Sequence, residues 1–206
     1  FLQFGFEGRK FARSVRGIPF FLRDYYAYKR LSRNSELAFP ITHLYPILHE
    51  RYDQAGEASG HYFHLNLWAA RRIYVENPVR HVDIGSSISG FVSHLLVFRE
   101  VEVVDTRALE SSEQKLHFLQ SDATNLKEFE DNSLESISTL HAAEHFGLGR
   151  YGDPVDPEAH YKFARALVRT LKPGGKLYYA VPCGIEQLHY NAHRIFSPYT
   201  VLRMFD

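Results

Sequence analysis

The densest run of ionisable side chains in the sequence is His141-Ala142-Ala143-Glu144-His145-Phe146-Gly147-Leu148-Gly149-Arg150-Tyr151-Gly152-Asp153-Pro154. Imidazole exchanges protons near neutral pH, so His145 or His141 can take a proton from an acceptor hydroxyl. Glu144 can orient the ring that does so. Arg150 and Asp153, with Asn191, His193 and Arg194 further on, can hold an anionic or hydroxyl-rich acceptor. The same side chains have structural alternatives: the histidines can cap a helix or bond within their loop, and Asn191–Arg194 can anchor a loop ahead of a helix at Ser197-Pro198. The spacing of His141, Glu144 and His145 also matches the inverted zinc-hydrolase pattern, with Glu158 or Glu186 as a third ligand. Against zinc, Gly147 and Gly149 follow too soon for the helix such a site needs, and the residues before His141 read as a strand. Cys183 is the only cysteine and is expected to be a small buried residue at a strand end rather than a nucleophile.

A second set of residues has the spacing of a nucleotide grip. His81-Val82-Asp83-Ile84 leads into Gly85-Ser86-Ser87-Ile88-Ser89-Gly90, and Val101-Glu102-Val103-Val104 ends in Asp105. A glycine at the turn after a first strand lets backbone approach a ligand, and the helix that follows aims free amides at it. An acid about 20 residues on can accept hydrogen bonds from ribose hydroxyls. Asp122-Ala123, after the next strand, adds an acceptor for an exocyclic amine. Each aspartate alone is also an ordinary turn or cap residue.

Such groups need a frame that gathers strand ends. From residue 80 onward the pattern alternates strands, expected at 80–84, 101–105, 116–120, 134–140 and 176–181, with helices at 88–98 and 157–171. Lys172-Pro173-Gly174-Gly175 reads as the turn that stops the second helix. This alternation predicts an α/β fold, a Rossmann-like, mostly parallel sheet flanked by helices, with ligands beyond the carboxyl ends of its strands. Residues 1–75 read as a helical N-terminal extension and 76–206 as the main domain. In the extension, Pro19 is expected to precede a helix at 20–32. Residues 61–75 show a helical stripe of Leu65, Trp68, Ala69, Arg72 and Ile73, ended by Asn77-Pro78.

Equal numbers of acidic and basic residues, 24 each, give no global attraction to nucleic acid. No apolar run approaches the roughly 18 residues of a membrane span, and no secretory leader is visible. With one cysteine and no possible internal disulfide, a cytoplasmic setting is expected. Charge is concentrated in residues 1–33, where eight arginines and lysines face only Glu7 and Asp24, interleaved with aromatics that include Phe4, Phe6 and Phe11. That segment can contact a partner or an anionic membrane surface, or serve as a docking helical cap.

Val82-Asp83-Ile84-Gly85, Asp105, Ser121-Asp122-Ala123 and Leu171-Lys172-Pro173-Gly174-Gly175-Lys176-Leu177-Tyr178 together resemble class I S-adenosylmethionine-dependent methyltransferases. More closely, the chain resembles an uncharacterised domain-of-unknown-function branch of that superfamily. The branch resemblance rests on Gly60–His64, Leu67-Trp68, His81–Ser86, Gly90–Val92, Phe98–Glu100, Glu144–Pro154 and Asn191–Arg194. It implies S-adenosylmethionine as cofactor. Asp83, Gly85 and Ser86, with Ser87 and Gly90, would lie at the methionine end, Asp105 at the ribose, and Asp122 with Ala123 at the adenine. It also implies a small-molecule acceptor, with a sugar or surface-glycan precursor as the lean, since the branch is associated with surface polysaccharides. The superfamily has glycines where this chain has Ser87 and Ser89, whose Cβ atoms are expected to crowd the cofactor, Gly90 compensating by a one-residue shift. The superfamily also adds an antiparallel strand pair after the fifth strand, so a chain ending at Asp206 is expected to have a short sheet or a missing C-terminal piece. A non-catalytic nucleotide- or partner-binding module is the alternative.

Overall fold

The computed structural model describes residues 7–56 and 58–206. Phe4 and Phe6 of the basic aromatic segment lie outside the described residues. The chain divides into two compact units, the first ending at Ala58 and the second spanning Ser59–Asp206.

In the first unit, helix α1 runs from Gly8 to Ser32 and contains Pro19. The expected start after Pro19 is corrected. Proline removes one backbone donor from the ladder, and helix-favouring Arg, Lys and Leu residues on both sides carry the helix through it. Part of the positive charge is spent internally: Arg13 pairs with Asp53 at 2.7 Å, and Arg51 pairs with Asp24 at 2.9 Å while lying 4.6 Å from the Phe20 ring centre. No helix among the described residues is long and apolar enough to cross a membrane.

The second unit is a five-stranded sheet in the order β3-β2-β1-β4-β5, parallel throughout. Its strands are β1 (Val82–Ile84), β2 (Val101–Asp105), β3 (Leu116–Gln120), β4 (Leu134–Leu140) and β5 (Leu171–Ala180). Helices α2 (His61–Glu76) and α3 (Ser93–Leu96) supply one flanking layer and α4 (Ala159–Thr170) the other. Strand alternation sorts the two cores. Val82, Ile84, Val104 and Ile137 pack with Phe163, Ala166 and Leu167 of α4, whereas Val101, Val103 and Leu140 pack with Ala69, Ala70 and Ile73 of α2 and Leu95 of α3. A sheet covered on both faces must be apolar on both, which explains the Val- and Leu-rich strands. The strand order reverses between β1 and β4, and a doubly wound sheet opens its ligand crevice at that point.

Local endings explain the remaining boundaries. Asn77 takes a left-handed conformation (φ 42°) and its N–H bonds Ile73 O at 2.9 Å, closing α2 ahead of Pro78. Trp68 is outside the buried stripe expected of it, because α2 turns Ala69, Ala70 and Ile73 to the sheet. The helix expected at 88–98 begins with one wide turn, Ile88–Val92, before α3. Ser87 caps this turn, its Oγ accepting from Gly90 N at 3.1 Å. Lys172–Gly175 proves to be an outward bulge within β5: Leu171 pairs with Leu134 and Lys176 with Ser136, so β5 spends five steps where β4 spends two. Past β5, β6 (Gln187–His189) and β7 (His193–Ile195) form a separate antiparallel hairpin before α5 (Pro198–Met204). Cys183 is exposed rather than buried, since the chain has left the sheet by that point.

Candidate functional site

An enclosed crevice lies at the carboxyl ends of the strands. Ile84 and Gly85 from β1, Val104 and Asp105 from β2, and Asp122 and Ala123 after β3 line one side. His141, His145, Phe146 and Gly147, with Asp153 further along the loop after β4, line the other. Seven of the residues singled out in the sequence therefore meet here: Gly85, Asp105, Asp122, Ala123, His141, His145 and Asp153. Asp83, Ser86, Ser87 and Gly90 are not on its wall.

Gly85 sits in the left-handed region (φ 68°), and a Cβ there would come within 2.8 Å of the Ala142 Cβ. Only glycine lets the loops after β1 and β4 meet so closely. Among the other residues of the turn, Ser87 is extended (φ −65°, ψ 119°), and neither it nor Ser89 has positive φ. Both serines belong to the start of the wide helical turn and are not among the residues that line the crevice.

Asp83 is fully buried and holds the turn from below. Its carboxylate accepts from Ser86 N at 3.1 Å, Ser86 Oγ at 2.7 Å and Ser138 Oγ at 2.5 Å. Burial pushes Asp83 up to about 6, against the lowering effect of these bonds. Ser138 Oγ also lies 3.0 Å from His81 Nε2, and burial followed by the charge of Arg99 pushes His81 down to about 3.

At the end of β2, both oxygens of Asp105 are engaged by Arg107: Nη2 donates to Oδ2 at 2.7 Å, and Nε and the backbone N–H donate to Oδ1 at 3.0 and 2.9 Å. Burial pushes Asp105 up, but these bonds outweigh it and hold the carboxyl below its ordinary value. The Arg107 guanidinium lies 4.4 Å from the Tyr151 ring centre, which Arg150 approaches at 5.0 Å from the loop itself. Asp122 Oδ1 accepts from Thr124 N and Oγ1, fixing the turn after β3.

The loop after β4 starts with strain. His141 has φ 58°, unusual for a side-chain-bearing residue and often found at functional sites. Glu144, 2% exposed, places Oε1 3.0 Å from His141 Nδ1 and 3.9 Å from His145 Nε2, so its hydrogen bond goes to His141. Glu144 Oε2 is buried without a partner among the described residues. His145 Nδ1 donates to Ala192 O at 2.7 Å, which Arg150 Nη1 also reaches at 2.9 Å. Burial lowers His145, with the Arg150 and His193 charges adding to it, against opposing effects of the Ala192 bond and Glu144.

Several residues expected to hold the acceptor also bond within the loop. Asp153 accepts from Gly147 N at 2.9 Å and Tyr151 N at 3.1 Å, and Arg194 donates to Phe146 O at 2.6 Å. His193 stacks edge-on to His145 at 6.4 Å, and Asn191 lies in the β6–β7 turn. Gly147 is required where it stands, since a Cβ would lie 2.0 Å from Asp156 O. Of the acids nominated for zinc, Glu186 accepts from Thr200 Oγ1 at 2.5 Å, and no group of three or more metal-ligating side chains occurs among the described residues. Sequence reasoning missed His61, which opens α2 and lies 2.7 Å, Nε2 to Nε2, from His141. Its only local signal was a histidine at a helix start beside Gly60.

Residues 94–206 match the model of a family described as "Caenorhabditis protein of unknown function, DUF268". The chain belongs to the DUF268 family. In this DUF268 chain the match includes Asp105, Asp122, His141, Glu144 and His145, while Gly85 and His61 precede it. A search of curated proteins finds no match. Solved structures of similar fold include a Haloferax volcanii protein in complex with the Trm112 methyltransferase activator (17% identity, 68% of this chain and 74% of that one, TM-score 0.46). Others are an S-adenosylmethionine-dependent methyltransferase from Thermotoga maritima (18%, 70% and 72%, 0.45) and one from Clostridium acetobutylicum (17%, 58% and 50%, 0.42). The DUF268 chain thus spans half of the Clostridium protein.

Proposed function

We propose that this DUF268 chain is an S-adenosylmethionine-dependent methyltransferase acting on a hydroxyl acceptor. The observation that carries the reading is the crevice at the β1/β4 reversal, with glycine at the β1 turn and an acid at the β2 end. The residues fit the cofactor. Gly85 leaves the β1 turn without a side chain, Asp105 offers carboxylate oxygens for ribose hydroxyls once Arg107 shares or releases them, and small Ala123 with Asp122 suits a flat base. Asp83 supports this cradle from beneath the turn.

When bound, the cofactor supplies an electrophilic methyl group. The chain's own contribution is positioning, which accounts for much of the rate of an in-line displacement, and removal of the acceptor proton. His141 is the proton-handling group on the crevice wall, oriented by Glu144 through Nδ1. His145, tied to Ala192 O, steadies the loop. The finer acceptor in this reading is a hydroxyl of a sugar or glycan precursor, handled in a cytoplasmic setting, with Arg150, Asn191 and His193 at the outer rim.

Isothermal calorimetry with S-adenosylmethionine and S-adenosylhomocysteine tests the reading. Saturable one-to-one binding that weakens at least tenfold in Asp105→Ala is expected. No heat at millimolar ligand favours the non-catalytic module, the reading to which the Arg107–Asp105 pair lends support.

A further inference from the structure

Three side chains from distant parts of the sequence form one hydrogen-bonded line. Glu144 Oε1 is 3.0 Å from His141 Nδ1, and His141 Nε2 is 2.7 Å from His61 Nε2. The carboxylate fixes the tautomers. As a carboxylate Glu144 only accepts, so in a neutral His141 ring Nδ1 carries hydrogen and Nε2 is a bare acceptor. His61 Nε2 must then carry hydrogen, and the lone pair of the chain falls on His61 Nδ1, which makes no hydrogen bond among the described residues.

The line runs outward from the protein interior. Glu144 is buried, the His141 side chain is nearly so, and His61 is exposed. The rings of His61 and Tyr62 stand edge-on to His141 at 4.9 and 4.8 Å, holding it in place. His141 lines the crevice at the strand ends, while His61 lines a separate shallow groove with Gly60, His64, Leu65 and Trp68. The two hollows therefore meet at the His141–His61 contact. Among the described residues that line the groove there is no carboxylate, ammonium or guanidinium group, and Trp68, 54% exposed, offers it a flat apolar face.

We propose that His61 is the catalytic base of this site, taking the proton of a neutral hydroxyl compound that docks by an apolar face along the α2 groove. The inference rests on the methyltransferase reading for the identity of the reaction, but not for the relay itself. The acceptor O–H bond breaks with its electron pair left on oxygen, and an N–H bond forms at His61 Nδ1. The Nε2 hydrogen of His61 shifts toward His141 Nε2, and the Nδ1 hydrogen of His141 toward Glu144, so the carboxylate balances the added charge. Of the two hollows, the crevice then receives the cofactor and the groove receives the apolar face of the acceptor.

Ring nitrogen-15 spectra of the full chain test the relay without any ligand. Expected are an unprotonated Nδ1 on His61 and an unprotonated Nε2 on His141, with both tautomers becoming mixed in Glu144→Gln. A His61 tautomer that is reversed in the native chain, or unmoved in both Glu144→Gln and His141→Gln, overturns the relay. Trp68 is the only tryptophan, so its fluorescence reports on the groove. Benzyl alcohol is expected to protect Trp68 from acrylamide quenching more than benzoate or benzylamine does. Equal protection by all three, or none, overturns the groove assignment. His61→Gln should bind S-adenosylhomocysteine within about twofold of the native chain, yet form it from S-adenosylmethionine and alcohol acceptors 10²–10⁴-fold more slowly, the usual span for a lost base. Absent S-adenosylhomocysteine binding with intact tautomers overturns the methyltransferase reading alone, whereas binding with the wrong tautomers overturns His61 alone.

Discussion

Arg107 closes on Asp105 with both a side-chain fork and its own backbone amide, so the acid at the end of β2 is fully occupied before any ligand arrives. The Arg107 side chain is about half exposed and is also held over Tyr151. A ribose diol approaching Asp105 must share the carboxylate with this guanidinium or displace it. With its guanidinium about half exposed, an ion pair of this kind contributes about 1 kcal/mol.

Arg107→Ala should therefore tighten S-adenosylhomocysteine binding by up to about fivefold, the factor that such a pair corresponds to. Asp105→Ala should weaken it by at least tenfold, because hydrogen bonds to a charged group are worth about 1.5–3 kcal/mol. Calorimetry on both variants decides the matter. Weaker binding in Arg107→Ala would mean that the guanidinium contacts the ligand instead of blocking it.

The two loop histidines should separate in kinetics. His141 bonds Glu144 and faces the crevice, whereas His145 is committed to Ala192 O. His141→Gln is expected to lower S-adenosylhomocysteine release by 10²–10⁴ with cofactor affinity kept, in the range for a proton-transfer group. His145→Gln should cost far less turnover and some thermal stability. A larger loss of turnover in His145→Gln would return the base role to that residue.

Beneath the β1 turn, two buried groups joined through Ser138 should act on stability in opposite directions. Asp83 is raised from 3.8 to about 6, so its stabilising contribution is complete below pH 3.8 and is lost as pH rises to 6. His81 is lowered from 6.5 to about 3, so its contribution is complete above pH 6.5 and is lost as pH falls toward 3. Between pH 4 and 6 the two slopes oppose each other. His81→Gln leaves Asp83 unopposed, and stability should then fall by about 2 kcal/mol across that window, the full slope of about 1.36 kcal/mol per unit holding only between the two pKa values. Urea midpoints at pH 4, 5 and 6 check this, and parallel native and variant profiles would refute it.

Phe163 of α4 is fully buried, and its ring lies 4.8 Å from that of Phe146, which lines the crevice. Phe163→Ala should cost about 3–5 kcal/mol by lost burial and cavity formation. Removing the support under Phe146 should also weaken cofactor binding. Denaturant melts and calorimetry on one preparation read both effects, and a loss below 1 kcal/mol would show that the core closes around the gap.

The sequence by itself determined the alternation of strands and helices, the doubly covered parallel sheet and the placement of Gly85, Asp105 and Asp122 at strand ends. These follow from periodicities of two and 3.6 residues and from turn chemistry, which act over short stretches. Local pattern also marked His141, Glu144 and His145 as a group. Tertiary structure alone decided that Glu144 bonds His141 and not His145, that Arg107 pairs with Asp105, and that Asp83 is buried beneath the turn with Ser86 and Ser138 as partners. It also brought His61 to His141 across 80 residues. Such partners are chosen where α2 packs on the sheet, and that depends on apolar faces far from either histidine, leaving no trace in the spacing around either one.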